Sequence, residues 1–282
     1  MRFTSYATPD GPRAALAGPD GWIDLSAYHG TAVRMDDVVN LERRAELIAP
    51  FVQQATGRDV PLVAGTLAPG VLLEQPGKLL GVGLNYADHA SDLGETRPDE
   101  PATFMKPATA LLPAGGTVPI PPQSVRTTGE AELGIVIGRR CKNVALENAA
   151  DVIAGFTTVI DMTAEDILQR NPRFLTRAKS FDGFLVLGPD LVTIDELGPL
   201  DEVRVTTELN GEAQRSNVVA NMMTQPLALV SFFSEVSTLE AGDVISTGTP
   251  GAIPLADGDV VACDVSGIGR IESPVRDLKV RP

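Results

Sequence analysis

The sequence predicts a predominantly β chain of the α+β class, and three observations predict it. Short runs rich in β-branched and small apolar residues recur between Gly, Pro and Asp turn signals. An Asn210-Gly211 pair stands between two such runs, which is a strong short-range hairpin signal. Long helical periodicity is confined to two stretches, residues 37–56 and 224–236. With 282 residues, 43% of them hydrophobic and 21% charged, the chain can bury one large or two modest cores.

Taken in order, the runs Arg2–Ala7, Arg13–Ala17 and Trp22–Leu25 are separated by Pro9-Asp10-Gly11 and Pro19-Asp20-Gly21, which predicts a small antiparallel meander. His29 follows as a turn residue. Apolar side chains at Val38, Leu41, Ala45, Ile48, Val52 and Ala55 predict a helix over 37–56, capped by Asp36 or Asp37 and stopped at Gly57. Pro61 to Gly77 reads as a linker, so residues 1–72 are expected to form a small N-terminal domain and 73–282 the main one. Leu79–Leu84 is a buried-strand candidate. Residues 85–94 suit one or two helical turns stopped by Gly94, which would bring His89 and Asp92 onto one face. Residues 97–123 are proline-rich and irregular. A short helix over Glu147–Ile153, a strand over Phe156–Ile160 and a helix starting just beyond Asp161, with Thr163-Ala164-Glu165-Asp166 as a capping box, complete the middle of the chain. The hairpin, a helix from Thr224 to Val236 and strands at Val244–Thr247, Val260–Val265 and Arg270–Val275 follow.

Within this frame, residues 126–138 (RTTGEAELGIVIG) form a strand entering a core. Period-two alternation sends Glu130 and Glu132 to one face. At about 4 Å and an effective dielectric near 20, such a pair repels by roughly 4 kcal/mol. Either both carboxylates face water on a sheet edge, or a proton, a basic side chain or a metal relieves them. With Asp161 they would form a set of hard oxygen donors, suited to Mg²⁺, Mn²⁺ or Ca²⁺ rather than zinc. An acid beside His89 would orient the imidazole as a general base.

The net charge of −14 argues against nucleic acid and anionic membrane surfaces as partners. The first residues lack a signal-peptide pattern, no apolar run nears a membrane span, and two cysteines make no disulfide framework, so a cytoplasmic setting is expected. Cys141 and Cys263 are expected to be packing residues. Gly81-Val82-Gly83 fails as a dinucleotide fingerprint, and the Gly-rich 246–251 lacks the Lys-Ser/Thr of a phosphate loop.

The stretches GLNYADHASDLG (83–94), FMKPATALLP (104–113), GEAELGIVIGR (129–139), RAKSFDGFLVLGP (177–189) and LEAGDVISTGTPG (239–251) occur in an order that resembles the fumarylacetoacetate hydrolase family over roughly residues 78–276. The resemblance implies a mixed β-sheet roll or barrel as the catalytic domain and a homodimer. It implies a divalent metal, Mg²⁺ or Mn²⁺, on Glu130, Glu132 and Asp161. A His89/Asp92 dyad and a catalytic Lys179 follow from it, with Thr249, Arg177, Lys106 and Tyr86 as substrate contacts. The chain departs from the family pattern in three places. Asp92 stands where the dyad acid is usually glutamate, Glu165 where an arginine is usual, and Leu168 where a glutamine is usual. Arg170, Arg173 or Arg177 could rebuild the substrate clamp. The expected activity is hydrolytic C–C cleavage of a 2-oxo acid such as an acylpyruvate. The alternatives are decarboxylation or keto–enol isomerisation through the same enolate, or metabolite binding without turnover.

Overall fold

A computed structural model of the chain describes residues 1–53, 60–86 and 99–280. The Pro-Asp-Gly turns fold the first strands back on one another: β1 (Arg2–Tyr6), β2 (Arg13–Gly18) and β3 (Gly21–Asp24) form the expected antiparallel meander. The Asp24 carboxylate accepts the Ala27 amide and starts α1 (Leu25–His29). The single helix expected over 37–56 is instead two, α2 (Met35–Val39) and α3 (Leu41–Gln53). Asn40 causes the break, because its side-chain oxygen accepts the amides of Glu42 and Arg43 at 3.1 and 3.0 Å and so caps a second helix. These helices bury Met35, Val38, Val39 and Leu47 against the main core. Arg44 anchors them, its guanidinium donating to the Ala154 carbonyl at 2.6 Å.

β4 (Leu79–Gly83) pairs antiparallel with β5 (Ala102–Lys106), inside the stretch expected to be irregular. β6 (Leu111–Pro113) and β7 (Val118–Ile120) lie there too. Their prolines masked them in the sequence, yet β7 is an edge strand, where a missing amide costs no ladder hydrogen bond.

β8 (Thr127–Ile137) and β9 (Ile153–Ala164) pair antiparallel along their whole length, with an irregularity between Val136 and Ile137, and every residue of both is buried. β9 carries past Asp161 to Ala164, so α4 (Glu165–Arg170) begins later than expected. Thr163 does not cap a helix; its hydroxyl donates to Glu130 while the ladder runs on to the pair Thr127–Ala164. α5 (Leu175–Lys179) returns the chain to β10 (Leu185–Leu187) and β11 (Asp190–Val192). β1 pairs with β11, which places the N-terminal meander in one twelve-stranded sheet with the order β3-β2-β1-β11-β9-β8-β14-β4-β5 along its main path.

After α6 (Ile194–Leu197), the hairpin β12 (Arg204–Leu209) and β13 (Glu212–Val218) turns at Asn210 and Gly211, with φ of 54° and 84° as a type I′ turn requires. α7 (Pro226–Val236) carries its proline in the first turn. β14 (Val244–Ser246), β15 (Ile253–Pro254), β16 (Val260–Val265) and β17 (Gly269–Asp277) close the chain, and the second sheet runs β13-β12-β16-β17-β7. It lies against β8, where Thr207 Oγ1 accepts the Ala131 amide at 3.1 Å. Leu133, Ile135, Val205, Val261 and Cys263 are all buried in the same hydrophobic core. The fold is therefore of the expected α+β, mainly β class. Among the described residues no helix is long and apolar enough to cross a membrane.

Candidate metal centre

Strand geometry assembles the acids. Alternation puts Glu130 and Glu132 on one face of β8, and the register of β9 sets Asp161 directly across from Glu130. One carboxylate oxygen from each of the three lies within 4.8 Å of the others. Their exposures are 7%, 1% and 0%, so the solvated-edge alternative does not apply.

Each carboxylate is held by named donors. Glu130 accepts from Thr163 Oγ1 at 2.5 Å and more weakly from Thr128 Oγ1 at 3.4 Å. Glu132 accepts from Ser246 Oγ at 2.5 Å and the Gly248 amide at 2.7 Å. Gly248 has φ of 97°, and a side chain there would meet Asn85 Cβ at 2.7 Å, so a glycine lets this amide reach the carboxylate. Asp161 accepts the Met162 amide at 2.7 Å. Lys179 Nζ donates to Glu130 at 2.8 Å and Asp161 at 2.6 Å.

Lys106, expected to contact substrate, is held by protein groups around the acids. Its ammonium stands 2.5 Å from Asp161 Oδ1 and donates to the carbonyls of Met162, Lys179 and Phe184 at 3.0, 2.6 and 2.8 Å. Four protein acceptors already share its three protons, so it braces Asp161 and the end of α5.

The charges do not balance. With every group ionised, three carboxylates (−3) would face two lysines (+2), one positive charge short of balance. Burial, then Asp161 and Glu130, push the Glu132 carboxyl up to about 8. Burial pushes the Lys106 ammonium down to about 8, partly opposed by Asp161. Burial would also lower Lys179, but Asp161, Glu130 and Glu132 outweigh it and hold the ammonium above its ordinary range. Burial opposes ionisation of Asp161, yet Lys106 and Lys179 keep it below the usual carboxylate range. A divalent cation fits this donor set in both hardness and charge.

Other expected site residues are placed as follows. Tyr86 is fully buried, and its hydroxyl has no hydrogen-bond partner among the described residues. Burial and the nearby Glu132 raise its phenol above the ordinary range. Thr249 is buried in the loop after β14, one residue from Gly248; its hydroxyl lies 3.2 Å from both the carbonyl and the amide of Gly251. Arg177 is exposed on α5 and lines a surface pocket rather than reaching the acids. Glu165, at the departure from the family pattern, pairs with Arg126 at 2.6 Å and accepts from Gln169. His89 and Asp92 lie outside the described residues. The sequence does not identify Ser246, Gly248, Thr128 or Thr163 as donors to the acids: Thr163 is expected to cap a helix, and 246–251 reads only as a Gly-rich loop that is not a phosphate loop.

A family model described as fumarylacetoacetate hydrolase, C-terminal, matches residues 78–276. An uncharacterized protein of Archaeoglobus fulgidus is 43% identical over 214 residues, covering 76% of this chain and 83% of its own. A mitochondrial oxaloacetate tautomerase of Bos taurus is 32% identical over 292 residues, covering 98% and 91%. The crystal structure of a 5-carboxymethyl-2-hydroxymuconate delta-isomerase from Mycobacterium smegmatis is similar with a TM-score of 0.75 at 33% identity, covering 98% of this chain and 99% of that one.

Proposed function

Because the chain belongs to the fumarylacetoacetate hydrolase family, we propose that it interconverts keto and enol forms of a 2-oxo diacid through an enolate. The observation that carries this reading is the buried centre itself: three acids against two lysines, beside a phenol that has no hydrogen-bond partner among the described residues. A divalent ion on Glu130, Glu132 and Asp161, Mg²⁺ or Mn²⁺ by the hardness of the ligands, would supply Lewis acidity toward the 2-oxo acid. Adding +2 to the local −1 leaves +1, which the carboxylate of a 2-oxo acid neutralises.

The chain's own residues then divide the work. The Lys179 ammonium faces negative charge as it develops on the enolate oxygen, and the Tyr86 hydroxyl offers that oxygen its unused proton. Thr249 holds the substrate carboxylate. His89, oriented by Asp92, moves the proton on or off carbon. The similarity to a tautomerase and to an isomerase across nearly the whole chain supports this reading.

A second reading is favoured by the hydrolase family itself and by the His89/Asp92 spacing. There His89 takes a proton from water, the hydroxide attacks the distal carbonyl of an acylpyruvate, and the C–C bond breaks to an acid and an enolate that is then protonated. One pair of assays separates the two, each run with Mg²⁺ and with Mn²⁺. Loss of the oxaloacetate enol absorbance without loss of acetylpyruvate supports tautomerisation, and consumption of acetylpyruvate supports hydrolysis. Thermal stabilisation by both compounds with turnover of neither would sink both and leave a binding protein. The homodimer that the family implies is proposed with this activity, and sedimentation as a monomer would remove it.

A further inference from the structure

Beside the metal centre, α5 separates two environments. Lys179 enters the acid cluster, while the next residue, Ser180, lines a surface pocket of about 600 Å³ together with Gln123, Arg173 and Arg177. Consecutive Cα atoms are about 3.8 Å apart, so this wall and the centre share one piece of backbone.

The four basic side chains of this region fall into two classes. Arg126 and Arg170 are neutralised by Glu165 and Asp166 at 2.6 and 2.9 Å. Arg173 and Arg177, on the pocket, have no side-chain partner among the described residues. In a chain with a net charge of −14, two unneutralised guanidiniums in one concavity are not an average surface. The Ser180 hydroxyl, on the wall of the pocket, also has no hydrogen-bond partner among the described residues. The phenyl rings of Phe174 and Phe181 line the same pocket and lower the local polarity. Guanidinium forks, a hydroxyl and an amide that line one concave surface are a donor set for a planar or tetrahedral oxyanion.

We propose that this pocket binds an anionic group, a carboxylate or a phosphate. Its occupant is either the second acid group of the substrate, which rests on the function proposed above, or a separate small anion. The pocket's volume is within the range of small-molecule sites.

Isothermal titration of the full chain with succinate tests this, because succinate carries carboxylates but no 2-oxo group to chelate a metal. Saturable binding is expected, weakened roughly ten- to a hundredfold in Arg173→Gln/Arg177→Gln by the loss of charge-assisted hydrogen bonds. Both arginines are exposed, so an unchanged melting temperature should show the fold intact. Ser180→Ala, as an independent variant, should weaken binding roughly threefold or more. Absence of saturable binding, or equal affinity in wild type and double variant, overturns the proposal. Competition of succinate with oxaloacetate, together with a raised KM in the double variant, assigns the pocket to the substrate's second acid group. Binding without competition assigns it to a separate anion. Since binding is read without turnover, an inactive protein would remove the proposed reaction while the pocket was still tested.

Discussion

Replacing Glu132 with glutamine separates the cost of the buried charge from its use. Glu132 is 1% exposed, and its carboxyl is pushed up from 4.5 to about 8 by burial and by Asp161. The folded chain thus holds this proton more tightly than the unfolded one. Its contribution to stability is fully present below about pH 4.5 and is lost as pH rises through about 8. At 1.36 kcal/mol per pH unit, the loss between those limits is on the order of 3–5 kcal/mol. Glutamine is nearly isosteric, and its carbonyl can accept the same hydrogen bonds from Ser246 and Gly248. Urea unfolding in chelator, at several pH values from 5 to 8.5, should therefore show wild type losing stability relative to Glu132→Gln as pH rises. Calorimetry with Mn²⁺ should show the opposite ranking for metal, with affinity lost in the variant. In wild type, affinity should climb toward pH 8 as binding displaces the proton. Parallel stability curves for the two proteins, or wild-type Mn²⁺ affinity in the variant, would refute this account of the centre.

Three further outcomes are expected, two from the geometry of the centre and one from the proposed role of His89. Lys179→Met strands Glu130 and Asp161 without their shared donor, and should cost about 3–5 kcal/mol in chelator, as breaking a buried pair does; Mn²⁺ should restore part of the unfolding midpoint but not turnover. Tyr86→Phe removes a buried hydroxyl that has no partner among the described residues, so unfolding free energy should hold or rise by about 1 kcal/mol while kcat/KM falls; a destabilised but fully active variant would show that the hydroxyl serves the fold. His89→Ala should lower kcat by roughly 10²–10⁴-fold with Mn²⁺ affinity unchanged, and equal loss of both would mean that the imidazole is a ligand.

Much of this centre was legible in the sequence because it is written in strand periodicity. Two glutamates two apart beside Ile135, Val136 and Ile137 fix a shared face whatever the partner strand is. The identity of the partner is a long-range fact, and only pairing reveals that Asp161 sits opposite Glu130. The helix expected just beyond Asp161 failed because Thr163 has two options, capping a helix or bonding a neighbouring carboxylate, and tertiary context chose the second. Asn40 shows the converse, a side chain whose cap splits one periodic stretch into two helices. β5, β6 and β7 were illegible because prolines read locally as breakers, and their edge or end positions are known only once the sheet exists. Lys106 could be placed near the site from its motif, but its four acceptors come from three separate segments and leave no local trace.

The antiparallel pairing of Glu130 with Asp161 also decides where the chain tolerates change. Their separation is set by the ladder between two long strands, so the connection at 138–152 could gain or lose residues without moving either carboxylate. A single residue inserted into β9 ahead of Asp161 would invert that side chain to the far side of the sheet. Length variation and ligand geometry are thereby uncoupled in one segment and rigidly coupled in the next.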